Sequence, residues 1–207
     1  MMGLRIGTRM TLVRLAGGGL LLHSALPLTE ARRRDVDSLG VLTHLVAPNA
    51  FHHRFAAEWA NTYPNAIVHG PVELRKKSPG LRLDRLLSVP PDVDWSGTLE
   101  PLTIEGSMLK ETVFVHTPSR TLISSDLVEN QNQVDHFPTR LYLRLSGVYQ
   151  CVGWPRPLRF LYRDKAAARR SIDELLERDF DRLIIAHGDV IERDAKAALR
   201  SGLKFLR

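Results

Sequence analysis

Three apolar runs in this chain end on polar residues of one chemical kind. Val41-Leu42-Thr43-His44-Leu45-Val46-Ala47 runs into Pro48-Asn49-Ala50-Phe51-His52-His53. Thr121-Leu122-Ile123-Ser124 leads to Asp126, and Leu183-Ile184-Ile185-Ala186 leads to His187-Gly188-Asp189. Short apolar runs bounded by turn residues read as buried strands. In α/β proteins, ligand sites collect at the carboxyl ends of such strands. The pattern calls for a fold that buries several strands and gathers their ends. His52, His53, Asp126 and His187 are therefore the candidate site residues. Imidazole and carboxylate are the ligand set of zinc, iron or manganese where cysteine ligands are lacking. The same carboxylate could equally orient a catalytic histidine.

The segments between these runs supply the other elements. Met10 to Leu15 and Leu20 to Ser24 flank Gly17-Gly18-Gly19 and predict a β-hairpin rather than a signal peptide. Residues before about Gly7 are expected to be poorly ordered. Thr29 and Gly40 bracket a short helix as N-cap and C-cap. Pro48 stops the next strand, and Asn49 is a candidate cap for the helix after it, or a lender of an amide oxygen to the site. Ala66 to His69 reads as a short strand whose His69 is not a ligand. Pro71 to Lys77 reads as a short basic helix. Leu81 to Thr98 reads as irregular, with a loop at Pro90-Pro91. Leu102 to Ile104, Thr112 to His116 and Thr121 to Ser124 read as strands, the last two joined as a hairpin. Helices are predicted over Arg140–Val148, Lys165–Glu177 and Asp194–Leu206. Arg120 is expected to anchor its hairpin by charge-assisted bonds, and His116 to be structural. Trp59, Trp95 and Trp154 are expected in the core or lining a pocket, and Cys151 as a small buried hydrophobe.

Composition removes several function classes. The chain has 207 residues, 43% hydrophobic and 25% charged, the balance of one globular domain with a core of its own. A single cysteine forbids an internal disulfide and a cysteine-rich zinc site, and points to a reducing, cytoplasmic setting. The net charge of +6 comes from basic residues spread along the chain with acids beside them. That distribution argues against a nucleic-acid partner. No run is long and uninterrupted enough to span a membrane. No nucleophile elbow or phosphate-binding glycine loop is present. The expected partner is a small molecule.

The order of hairpin, helix, strand and histidine motif, with "SRTLISSDL" (119–127) and "IIAHGDVI" (184–191), resembles the metallo-β-lactamase superfamily. With "APNAFHHRFAAEW" (47–59), the chain most resembles the uncharacterised family of domain of unknown function 4336. The resemblance runs from about Met10 to Leu206. It implies a four-layer αββα sandwich with a site at one edge. It also implies which ligands remain. The superfamily motif His-x-His-x-Asp-His falls on Pro48, Ala50, His52 and His53, and the third imidazole of the first metal site falls at Gly106-Ser107. The first site is thus missing. The second is implied at His52, His53, Asp126 and His187, with one divalent metal. Two functions follow from that: hydrolysis of an ester, lactone or amide with one metal, or a non-catalytic binding descendant of the fold.

Overall fold

The computed structural model describes residues 3–87 and 93–206, so the loop expected at Pro90-Pro91 lies outside the described residues. The glycine-turn hairpin forms as expected. β1 (Thr11–Arg14) and β2 (Leu20–His23) pair antiparallel. α1 (Glu30–Leu39) follows, with the Thr29 side chain accepting from Arg32 N and Gly40 closing it at φ 144°. β3 (Leu42–Val46), β4 (Ile67–Gly70) and the two-residue β5 (Arg85–Leu86) add in parallel, giving the order β1-β2-β3-β4-β5. β5 lies in the stretch expected to be irregular. α2 (Ala56–Thr62) and α3 (Leu74–Lys77) connect these strands.

The second sheet has the order β6-β7-β8-β9. β6 (Leu99–Thr103), β7 (Thr112–His116) and β8 (Thr121–Ile123) are antiparallel, and β9 (Arg182–Ile184) joins β8 in parallel. α4 (Phe137–Ser146) starts three residues before the predicted Arg140, because Pro138 fits the first helical turn. α5 (Lys165–Glu177) has Asp164 as its cap, accepting from Ala167 N. α6 (Ala195–Gly202) is shorter than predicted and gives way to a 3₁₀ turn at Lys204–Leu206.

Strand alternation sorts the apolar residues into three layers. Leu20 and Leu22 of β2 pack outward against Val36 of α1, Trp59 of α2 and Leu74 of α3. Leu21 faces the other way and meets Phe114 and Ile123 of the second sheet. On the far side, Val113, Val115, Leu122 and Leu183 pack on Ile172 and Leu175 of α5 and Leu199 of α6. Helices, sheet, sheet, helices is the αββα sandwich. β3 carries a bulge: Leu20 pairs with Leu42 but Leu21 with His44, so Leu42 and Leu45 share one face despite their spacing.

The inner layer holds polar groups that the sequence did not advertise. His44 Nδ1 and His69 Nε2 are 2.9 Å apart, both buried, with Trp95 packed on both rings. His44 Nε2 also lies 3.5 Å from Asp94 Oδ2. Trp59 and Trp95 are core residues as expected. Arg120 takes Asp179 in a two-pronged bond, Nε and Nη2 at 2.8–3.0 Å, and fixes the β7–β8 hairpin as expected. His116 bonds Ser119 Oγ within the same turn, a structural role. Cys151 is a correction: it is exposed, with Sγ against Gly147 O, in the turn after α4 and outside the core. Among the described residues, no helix is long and apolar enough to cross a membrane.

Candidate metal centre

The site is assembled by the loops that follow β3, β8 and β9. After β3, Asn49 is fully buried, and its Oδ1 accepts from Phe51 N at 2.7 Å and His52 N at 2.8 Å. This side-chain turn orients His52. Asn49 therefore caps the turn at 52–55, and α2 begins only at Ala56. Its amide nitrogen, rather than its oxygen, reaches the site. Nδ2 donates to Ser125 Oγ at 2.9 Å and to Asp126 Oδ2 at 2.8 Å.

Three of the four expected residues converge. His52 Nε2 and His187 Nε2 are 3.1 Å apart. Asp126 Oδ1 lies 3.3 Å from the first and 3.2 Å from the second. Ligand bonds of about 2.1 Å give edges of roughly 3.0 Å in an octahedron and 3.4 Å in a tetrahedron, so this triangle is the right size for one ion. His53 is not part of it. Neighbouring residues in a helical turn diverge by about 100°, so two adjacent histidines do not face one point. His53 instead buries Nδ1 without a partner among the described residues, and burial, then Lys77 and His52, lower its pKa.

The outer atoms of the triad are each held. His187 Nδ1 lies 2.7 Å from Gly7 O. A carbonyl only accepts, so Nδ1 carries the proton, and in the neutral ring Nε2 offers its lone pair to the triangle. His52 Nδ1 is 2.6 Å from Ser24 Oγ, and Asp126 Oδ2 holds the Asn49 amide. Metal-binding side chains are typically oriented by such outer partners. Residues before Gly7, expected to be poorly ordered, are placed here: Arg5 N donates to Thr139 Oγ1, and Leu4 and Ile6 line the site's cavity. Met1 and Met2 lie outside the described residues.

Sequence reasoning missed Glu111, which is 2% exposed. Its Oε1 accepts from Ser125 N, Ser125 Oγ and Asp126 N, and its Oε2 from Asp126 N, at 2.7–3.1 Å. Burial, then the charge of Asp126, push Glu111 up to about 8 against those bonds. Burial also disfavours charge on Asp126, but His52 and His187 outweigh it and hold that carboxylate well below its usual range. Burial likewise opposes charge on His187, but Asp126, Gly7 O and Glu129 raise it to about 9. Asp126 is thus the charged centre of the group. The positions lacking imidazoles are closed. Ala50 N donates to Leu109 O, Thr112 N donates to Pro48 O, and Ser107 Oγ accepts from Leu109 N. A Cβ on Gly106, at φ 71°, would stand 2.0 Å from Asp164 O. Gly188 has the same constraint beside His187: at φ 107°, a Cβ would meet Asn130 O at 2.1 Å.

His23, at the end of β2 beside Ser24, supplies a stability test. Its ring is buried edge-on to Phe114, with Nε2 unpartnered among the described residues. Burial, reinforced by His52 and only partly offset by Asp126, lowers its pKa from 6.5 to about 3. Above 6.5 neither state carries the charge. Below it the unfolded chain takes up a proton and the folded one does not, so stability falls as pH drops toward 3. The slope is about 1.4 kcal/mol per pH unit, or about 2 kcal/mol between pH 6.5 and 5. Urea midpoints of wild type and His23→Leu at those two pH values measure it. The variant should lose about 2 kcal/mol less, and equal losses would show that His23 titrates normally.

No protein-family model and no curated protein sequence matches the chain. Solved structures do. A metallo-β-lactamase from Pontibacter korlensis superposes with TM-score 0.67 at 13% identity, covering 100% of this chain and 90% of that one. A metallo-β-lactamase from Hirschia baltica gives 0.61 at 9%, covering 97% and 86%. The chemotaxis sensor ODP, solved as a peroxy diiron species, gives 0.61 at 13%, covering 97% and 86%. The chain has the metallo-β-lactamase fold.

Proposed function

We propose that this protein is a hydrolase-like metalloprotein that acts with one divalent ion on an ester, lactone or amide. The observation that carries the reading is the triangle of His52 Nε2, His187 Nε2 and Asp126 Oδ1, with edges of 3.1–3.3 Å. Two imidazoles and a carboxylate suit zinc, iron or manganese and leave coordination positions open. An ion held there would polarise a carbonyl and acidify a water. The chain's own residues do the rest. Gly7 O and Ser24 Oγ fix both rings, and Asn49 fixes the carboxylate. The cavity of about 520 Å³ beside the triad, walled by Phe51, Phe55, Leu158 and Leu161, would receive the apolar part of the substrate. Kinship with the family of domain of unknown function 4336, a cytoplasmic setting and a small-molecule partner belong to the same proposal.

Pro48, Ala50 and Ser107 favour a second reading, a binding protein that has lost catalysis. Elemental analysis after loading with zinc, iron or manganese, then turnover of an activated ester and a chromogenic β-lactam, separates the two. The expected result is one ion per chain, lost in His187→Ala, with ester turnover also lost. β-Lactam turnover should be at least roughly a hundredfold below that of two-metal enzymes, since one arm of the charge clamp is missing. A bound ion without turnover of either substrate would support the binding protein. A metal-free wild type would remove the hydrolase reading and leave the binding protein.

A further inference from the structure

The cavity beside the triad contains one carboxyl group that the metal reading does not use. Glu129 lies three residues beyond Asp126, in the wall of the same cavity, and is 7% exposed. Its backbone is pinned on both sides, N to Gly153 O at 2.8 Å and O from Gly153 N at 3.0 Å. Its side chain takes no hydrogen bond from any described residue, and Oε2 is buried without a partner. Buried carboxyl groups are almost always satisfied, so one without a partner in a cavity wall is a place for a donor from outside the chain. Most of the wall around it is apolar: Leu4 and Ile6 from the N-terminal segment, Phe51 and Phe55 from the turn into α2, Leu158 and Leu161 from the segment after α4. Ligand cavities of this kind take their affinity from the apolar walls and their selectivity from a few polar groups.

We propose that the cavity takes an acyl compound with an apolar body and an N–H or O–H group that donates to Glu129. The proposal rests on the hydrolase reading for the placement of the acyl carbon at the triad. Selection follows from the geometry alone. An apolar body fills the wall, and a ligand without a donor leaves the Glu129 oxygen unpaired inside the complex. Such a site rejects the analogue that lacks the donor far more strongly than one that is a methylene shorter.

Octanamide and 2-nonanone test this, because they share the acyl body and differ only in NH₂ against CH₃. Calorimetric titration of the full chain should show octanamide binding at least tenfold more tightly than 2-nonanone, although the ketone is the more apolar. Hexanamide should bind roughly tenfold more weakly than octanamide, as expected for two buried methylenes. Glu129→Met, close in size, should abolish or reverse the preference while leaving 2-nonanone as tight or tighter. Glu129→Gln, which keeps a polar group, serves if the first variant does not fold, and should narrow the preference. Equal affinity of the two ligands for wild type, or equal loss of both in the variant, would overturn the proposal. So would an absence of saturable octanamide binding. Metal content measured on the same samples keeps the two readings apart. Amide selectivity in a protein that takes up no metal would uphold the cavity assignment and remove the hydrolase reading.

Discussion

Stripping the ion from the metal-loaded protein with a chelator is expected to lower its melting temperature by roughly 8–16 °C. An ion at about a thousand times its dissociation constant stabilises the folded state by about 4 kcal/mol. For a chain of 207 residues, each kcal/mol moves the midpoint by roughly 2–4 °C. The triad also predicts why the stripped protein stays folded. Asp126 Oδ1 lies 3.2–3.3 Å from both Nε2 atoms, so a proton on either ring can take the ion's place. Asp126→Asn, which keeps the shape but removes the charge at the centre of the group, should melt at the same temperature with and without chelator. A chelator shift in Asp126→Asn as large as in the wild type would place the ion away from this triad.

The architecture was legible because it is written in local patterns. The Gly17-Gly18-Gly19 turn, the Thr29 and Gly40 caps and the apolar runs at 42–46, 112–116 and 121–123 each act over a few residues, and each formed as read. The triad was legible for a related reason: each member follows a strand, and the topology brings strand ends together. What supports the triad was not. Ser24, Gly7 and Glu111 carry no periodicity, and their partners lie far away in sequence, as with Gly7 and His187. The pairing of His44 with His69 likewise depends on β3 and β4 being neighbours in the sheet. His53 lies outside the triad although it adjoins His52 in sequence, because a helical turn sends successive side chains in different directions. Asn49 was read for its oxygen, and that oxygen does cap a turn, but the nitrogen on the same side chain is what holds Asp126.

Glu111→Ala is expected to destabilise the metal-free fold by roughly 3–5 kcal/mol. The reason is the number of donors left behind. Two backbone N–H groups, of Ser125 and Asp126, and the Ser125 hydroxyl end on this one carboxyl in a place closed to water. Each buried donor stripped of its partner costs about 1–3 kcal/mol, and a water entering the vacated space would recover only part of that. The same bonds fix the backbone from which Asp126 projects, so the effect should reach the site. Loss of an outer partner typically weakens metal affinity ten- to a hundredfold. Glu111→Gln separates the two consequences. Its single carbonyl oxygen can still accept from the backbone, while its NH₂ group faces donors and finds no acceptor there. It should fall between wild type and alanine in both stability and metal affinity. Chemical denaturation with metal removed measures the first quantity, and competition against a chromogenic chelator measures the second. If Glu111→Ala unfolds at the wild-type denaturant midpoint, the carboxyl is not the clamp that its four short contacts describe, and Asp126 must be held by Asn49 alone.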